Sequence, residues 1–128
     1  METVNEVLGA QGAGELVRAL GRTWTVMPVT QAIKAEFEAW LKFQARQSIL
    51  EAKPQVDNIT YQDMLSAFNT DAAGGKFRWQ GEAFRKSLAD LPGMCYLGYL
   101  LMRGKHPGIT EDEVLAIYNA NTEGSAKR

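Results

Sequence analysis

The segment Thr30–Ala52, TQAIKAEFEAWLKFQARQSILEA, decides the fold class of this 128-residue chain. Its apolar residues recur at about helical spacing: Ile33, Phe37, Trp40 and Leu41, then Ile49 or Leu50. Thr30 is a suitable amino-terminal cap. Pro54 ends the segment because proline moves the residue before it out of helical geometry. The sequence therefore predicts one long helix over Gln31–Ala52.

A second helix is predicted to begin at the sequence Ile59–Met64. Thr60 would be its N-cap, Asp63 would take the third helical position, and Ile59 would pack on Met64. The helix would end near Ala73, before two glycines.

A later helix has a complete capping box. Thr110 caps, Glu113 returns the hydrogen bond, and Ile109 is expected to pack on Val114. We expect this helix to end near Ala120.

Two helices are predicted between these capped segments. The first covers Gln80–Leu91 and places Phe84, Leu88 and Leu91 on one side. The second covers Met94–Arg103, with Pro92 in its first turn. Since the second helix is apolar nearly all round, it should lie at the centre of the fold or of an interface.

The residues before the long helix, Glu15–Val29, read best as a β-hairpin. Gly21 can supply the positive φ of a tight turn, and Trp24 lies in a run of β-branched residues. The alternative is a short helix over Glu15–Leu20 with Gly21 at its carboxyl-terminal cap. The expected fold is therefore mainly α, with four to five helices and a small amino-terminal hairpin.

Composition limits the classes of function. A formal net charge of −1 builds in no long-range attraction to nucleic acid or anionic lipid. One cysteine cannot form an internal disulfide, which argues against an oxidised, secreted scaffold. The most apolar stretch, Met94–Met102, is too short to span a bilayer, and Met1–Gly14 does not have the pattern of a signal peptide. No membrane association is expected.

Residues for catalysis are few. The chain has one histidine, His106, which we expect to be exposed in a loop, and one cysteine, Cys95, which we expect to be buried. The acidic run Glu111–Glu113 is explained by helix capping, because adjacent helical residues point in different directions. We predict no enzyme activity, no catalytic residue, no metal site and no cofactor.

One segment combines basic and aromatic residues: Lys76-Phe77-Arg78-Trp79, followed by Arg85 and Lys86. Single-strand binders use such a composition, since bases stack on aromatic rings and phosphates meet basic groups. The structural interpretation is that the alternating rings pack inward while the charges stay in solvent. A nucleic-acid-binding regulatory module that uses Lys76–Lys86 is the alternative function.

The order of several features resembles small structural and tail-assembly proteins of tailed bacteriophages, including the tail-assembly-chaperone-like group. The features run from the hairpin sequence Gly21-x-Thr-Trp-x-Val26 and the helix sequence Glu36–Leu41 to Trp79-x-Gly-x-x-Phe84 and His106-Pro-x-Ile-Thr-x-x-Glu-Val114. The likeness covers most of the chain. It implies a non-enzymatic protein that binds other virion or tail proteins in several copies, located in the virion or the host cytoplasm.

The expected organisation is an arm over residues 1–14, a single helical domain over residues 15–121 and a polar tail over residues 122–128. The arm is expected to be either flexible or ordered by a partner. Tryptophans in a small domain are more often core than contact, but one exposed on a hairpin or helix face would be an interface anchor. The predicted contact residues are accordingly Trp24, Phe77, Arg78, Trp79 and Arg85. The expected partners are other phage structural or tail proteins and further copies of this chain.

Overall fold

The computed structural model describes residues 14–126 of the chain, and the side chains of residues 14–120. It is mainly helical with an antiparallel two-stranded hairpin, which confirms the predicted fold class. Residues 1–13 of the predicted arm lie outside the described residues. The elements are β1 (Glu15–Ala19), β2 (Arg22–Val26), α1 (Gln31–Ala52), α2 (Asn58–Ala73), α3 (Glu82–Leu88), α4 (Leu91–Met102) and α5 (Glu111–Ala126).

The hairpin prediction is confirmed and the short-helix alternative is wrong. Strands β1 and β2 pair antiparallel, with Val17 opposite Trp24. Leu20 and Gly21 form the turn with φ of 54° and 76°. Positive φ at both central residues matches the right-handed twist of the flanking strands, and Gly21 takes this conformation without steric cost.

Helix α1 has the predicted bounds. The backbone N–H of Ile33 donates to Thr30 Oγ1 at 3.2 Å, so Thr30 is the expected cap. At the other end a 3₁₀ turn, Lys53–Gln55, follows the helix and contains Pro54. Proline therefore ends α1 by the mechanism expected from the sequence.

The described chain forms two compact units. The hairpin unit comprises residues 14–33 and 89–126, and the helical unit comprises Lys34–Leu88. The core of the hairpin unit is built from the hairpin, α4, the loop before α5, and α5: Trp24, Cys95, Met102, Ile109, Val114 and Ile117. The apolar α4 is thus central to this core.

Gly98 lets α4 and α5 approach closely. A Cβ atom on Gly98 would lie 2.7 Å from Cγ1 of Val114, which is closer than side-chain atoms pack. Val114 is itself buried, and its branched side chain has little freedom to move. A glycine at this position therefore sets the spacing of the two helices.

The helical unit is centred on aromatic rings. Phe37 is fully buried at 0% exposure, and its ring centre lies 5.5 Å from that of Trp40, 5.8 Å from that of Trp79 and 5.5 Å from that of Phe84. The rings of Trp79 and Phe84 are 4.4 Å apart. Tilted and edge-on ring pairs of this kind add to the stabilisation from burial alone.

The predicted cap of α2 is wrong. The helix begins at Asn58, because Asp57 Oδ1 accepts the backbone N–H of Thr60 at 2.7 Å. Aspartate caps as well as threonine, and a cap at Asp57 places Thr60 at the third helical position. Ile59 is 74% exposed and makes no apolar staple.

The Asp57 cap gives a pH-dependent prediction. Hydrogen bonds from the backbone and then the side chain of Thr60 hold the pKa of Asp57 below its ordinary value of 3.8. A lowered pKa in the folded state contributes stability above the unfolded pKa and loses it as pH falls through the folded pKa. Asp57→Ala should lower the thermal midpoint at neutral pH, and the difference from wild type should shrink in strong acid.

Asp57→Asn is the matched control for this prediction. Asparagine caps helices but does not ionise, so the difference in midpoint between Asp57→Asn and Asp57→Ala should not change with pH. Thermal unfolding of the three proteins from neutral to strongly acid pH checks both expectations. Equal midpoints for wild type and Asp57→Ala at neutral pH would show that this cap does not stabilise α2.

The capping box of α5 is confirmed. The N–H of Glu113 donates to Thr110 Oγ1, and the N–H of Thr110 donates to Glu113 Oε1, both at 3.2 Å. Ile109 and Val114 are buried in the same cluster, as expected of a staple. The helix continues to Ala126, beyond the predicted end and into the predicted polar tail. A lone Gly124 costs only about 1 kcal/mol, and residues 121–128 contain no proline that would break the helix.

Helix α3 is shorter than its predicted range. It covers Glu82–Leu88 because Gln80 has a φ of 65° and belongs to the turn before the helix. Leu91 does not close α3 but begins α4. Pro92 lies in the first turn of α4, as predicted.

Candidate functional site

The predicted contact segment after α2 divides into buried rings and exposed charges. Phe77 is buried, and its ring centre lies 5.5 Å from that of Phe68. Trp79 is half-buried, whereas Arg78 and Arg85 are exposed. The N–H of Trp79 donates to Glu38 Oε2 at 2.7 Å, which ties the segment to α1 within the helical unit.

Acidic side chains accompany the lysines of this segment. Lys76 Nζ lies 3.4 Å from Asp71 Oδ2, and Lys86 Nζ lies 3.0 Å from Glu82 Oε1. The hydrogen bond from Lys86 and then its charge lower the pKa of Glu82. Among the described residues, Arg78 and Arg85 have no carboxylate within 4.0 Å. Arg78 and Arg85 therefore carry the positive charge of this segment that no nearby carboxylate neutralises.

Trp24, another predicted contact residue, is 3% exposed and lies in the core of the hairpin unit. Its indole Nε1 donates to the carbonyl of Ala19 at 3.1 Å. The guanidinium carbon of Arg22 lies 4.0 Å from the centre of the Trp24 ring. The ring thus packs within the unit, and contact of Trp24 with a partner stays a prediction.

His106 is not the exposed loop residue that the sequence predicts. It is half-buried, and its Nε2 accepts the backbone N–H of Thr25 at 2.9 Å. The imidazole also lies against Trp24, with ring centres 5.0 Å apart. The loop after α4 therefore folds back onto the hairpin. Thr25 and His106 are 81 positions apart, so no local sequence pattern indicates this bond.

A polar pocket of about 350 Å³ lies between the hairpin turn region and the loop before α5. Its wall combines two cations, the lone histidine and one carboxylate with apolar residues: Arg22, Trp24, Lys105, His106, Pro107, Gly108, Ile109 and Glu113. Both sides of the pocket belong to the hairpin unit. The sequence contains these residues but gives no sign that they meet.

An apolar pocket of about 180 Å³ lies in the same unit. It is lined by residues of β1, β2, α4 and α5: Val17, Val26, Met94, Cys95, Gly98, Met102, Val114, Ile117 and Tyr118. Cys95 is a free, buried thiol, as predicted. Burial raises the pKa of the Cys95 thiol above its ordinary value of 9.0, and the carboxylates of Glu111 and Asp112 raise it further.

The raised pKa predicts a slow thiol. Because the thiolate is the reactive form, Cys95 should react with iodoacetamide at mildly alkaline pH more slowly than N-acetylcysteine. The chain has one cysteine, so mass spectrometry follows this site alone. Unfolding in urea should bring the rate up to that of the free amino acid derivative. A folded protein that reacts as fast as N-acetylcysteine would contradict the expected burial effect.

The part of the chain that the structure describes offers no metal-binding cluster and no membrane-spanning helix. The side chains of residues 14–120 include no group of three or more His, Cys, Asp or Glu residues placed to hold a metal ion. Among the helices of residues 14–126, none combines the length and the apolar character needed to cross a bilayer. No protein family model, curated protein or solved structure matches the chain. The resemblance to phage tail-assembly proteins thus stays a prediction.

Proposed function

We propose that this chain is a non-enzymatic component of a tailed-bacteriophage virion or of its tail assembly, and that it acts through protein–protein contacts. The observation that carries the contact role is a pair of large apolar side chains left in solvent on α1. Phe43 is 59% exposed and Leu50 is 41% exposed. The buried residues of the same helix, Phe37 and Leu41, already serve the core.

The spacing of these two residues suits a helix partner. Phe43 and Leu50 are seven positions apart, so they lie on the same face of α1, two turns from each other. Apolar residues at this separation form the seam by which two helices pack together. A second copy of α1 offers the same face, and a symmetric pair is the commonest form of oligomer. We therefore assign this face to self-association.

Two other parts of the chain extend the contact proposal. Leu16 and Leu20 are exposed on the hairpin and offer apolar surface there. The segment Met1–Gly14, rich in glycine and alanine, is proposed to lie along a neighbouring protein. The phage assignment itself is supported by the sequence resemblance.

Solution mass by light scattering, over a range of protein concentrations, tests the proposal. Wild type should form a defined oligomer, and Phe43→Ser should shift it towards monomer at equal concentration. Gln44→Ser is the matched control, since it changes the adjacent exposed residue and should leave the mass unchanged. Shortening the chain by Met1–Gly14 should also weaken the assembly. A wild-type monomer at every concentration would contradict self-association through α1.

The alternative function, nucleic-acid binding, is favoured by one observation. Arg78 and Arg85 are exposed and have no ion-pair partner among the described residues. Against it, Phe77 is buried and Trp79 packs on Phe37 and Phe84, whereas stacking on bases needs open ring faces. The contact proposal therefore has the stronger support.

Salt-dependent binding distinguishes the two functions. A nucleic-acid-binding module should bind labelled single-stranded DNA or RNA with an affinity that falls steeply as salt rises. Arg78→Glu should then abolish binding, while Arg46→Glu, a change at an exposed arginine of α1, should not. Absence of binding at low salt would remove this alternative and leave the contact proposal untouched.

A further inference from the structure

The polar pocket of the hairpin unit contains a histidine whose free nitrogen is a hydrogen-bond donor. His106 Nε2 accepts the N–H of Thr25, so this nitrogen carries no proton. In a neutral imidazole the other nitrogen, Nδ1, then carries the hydrogen. Among the described residues no group accepts a hydrogen bond from Nδ1. The Thr25 bond thereby fixes both the tautomer and the position of the ring.

Two cationic side chains, Arg22 and Lys105, line the same pocket as His106. The guanidinium of Arg22 rests on the Trp24 ring at 4.0 Å, and this contact holds its plane while leaving its N–H groups available. Lys105 precedes His106 and also lines the pocket. Among the side chains of residues 14–120, no carboxylate lies within 4.0 Å of Arg22 or Lys105. The pocket thus has two unpaired cations beside an imidazole donor.

The one acid in the wall is already engaged. Glu113 Oε1 accepts the N–H of Thr110 at 3.2 Å and lies 3.4 Å from the Thr110 hydroxyl, as part of the capping box. Its negative charge still offsets one of the two positive charges in the pocket lining. Arg22, Lys105 and Glu113 together leave one net positive charge in the lining. One net positive charge suits a ligand group that carries one negative charge.

We infer that this pocket binds a carboxylate, supplied by an acidic side chain of a partner protein. A carboxylate carries one negative charge and is planar, and the planar fork of an arginine binds it in a bidentate manner. A phosphate group carries nearly two negative charges at neutral pH, which the single net charge of the lining matches less well. The ligand is therefore an Asp or Glu side chain in an acidic protein segment.

The single histidine makes the site directly observable. Glutarate, a short peptide of alternating Glu and Gly, and inorganic phosphate are titrated separately at constant ionic strength, with chloride as the balancing anion. The ¹⁵N and ¹H shifts of the His106 ring are recorded, and His106 gives the only imidazole signals of the chain. The peptide should produce a saturable shift at Nδ1, and glutarate should produce the same shift more weakly.

Substitutions separate the site from general charge effects. Arg22→Gln and Lys105→Gln should each weaken peptide binding by about tenfold, the usual effect of losing one hydrogen bond to a charged group. Lys42→Gln, which removes one positive charge from an exposed position on α1, should leave the affinity unchanged. An unchanged Thr25 amide shift in each variant would show that the pocket keeps its structure.

Two results would overturn the inference. Tighter binding of phosphate than of the peptide would assign the pocket to a phosphoryl ligand. The absence of a saturable His106 shift with any of the three probes would show that the pocket binds no oxyanion. The inference rests on the proposed function in one respect only, that the carboxylate belongs to a partner protein. Its failure would leave the oligomer mass unchanged, and a monomeric wild type would leave the His106 titration intact.

Discussion

The Phe37→Ala variant should lose about 3–5 kcal/mol of the free energy of unfolding. Phe37 is 0% exposed, and its ring lies within 5.8 Å, centre to centre, of those of Trp40, Trp79 and Phe84. Alanine would leave a cavity bordered by three rigid rings, which cannot close around it without leaving their own contacts. Since small domains are stable by only about 5–15 kcal/mol, this loss would remove a large share of the stability of the protein.

Ile59→Ala is the control for Phe37→Ala. It also truncates a large apolar side chain of the helical unit, but at a residue that is 74% exposed and lies outside the α1 face, and should alter stability by no more than about 0.5 kcal/mol. Urea unfolding, followed by tryptophan fluorescence and by circular dichroism, measures both variants. Similar unfolding free energies for the two would show that the aromatic cluster of the helical unit is not its core.

The Trp24→Ala variant should have a comparable effect on the hairpin unit, with a loss of about 3–5 kcal/mol. Trp24 joins three parts of this unit, because it packs in the core cluster, donates to the Ala19 carbonyl and lies against His106. Trp24→Phe keeps an aromatic ring but loses the indole N–H. We expect it to cost less, about 1–2 kcal/mol.

Urea unfolding tests whether Trp24→Ala loses more stability than Trp24→Phe. The NMR signals of the His106 ring provide a second measurement. Loss of the Trp24 ring should move the His106 signals even where the protein stays folded, because the two rings are 5.0 Å apart. A Trp24→Ala protein as stable as wild type would show that this side chain is free for a partner instead of serving the core.

Local patterns in the sequence predict most of the helix and strand boundaries. Thr30 and Pro54 set the two ends of α1, and Thr110 with Glu113 set the start of α5. These signals act over three or four residues, so they do not depend on the rest of the fold. The wrong N-cap of α2 has the same local origin. Asp57 and Thr60 are both good caps, and the sequence alone does not decide between them.

The candidate sites were less predictable, because their parts come from distant positions. The bond between Thr25 and His106 spans 81 residues, and the bond between Glu38 and Trp79 spans 41. No periodic pattern indicates such pairs. The exposure of Phe43 is equally hard to predict. Its apolar character suggests burial, and only the packing of α1 shows that its side chain remains in solvent.

The central claim, that this chain works through contacts made by exposed apolar surface on α1, is tested most directly by photocrosslinking. Phe43 is replaced by the photoreactive benzoylphenylalanine in the full chain, and Gln44 is replaced in a matched control. After irradiation of the purified proteins, we expect a covalent dimer joined through α1 at position 43 and little at position 44. Equal crosslinking at both positions, or none at position 43 at high protein concentration, would contradict the claim.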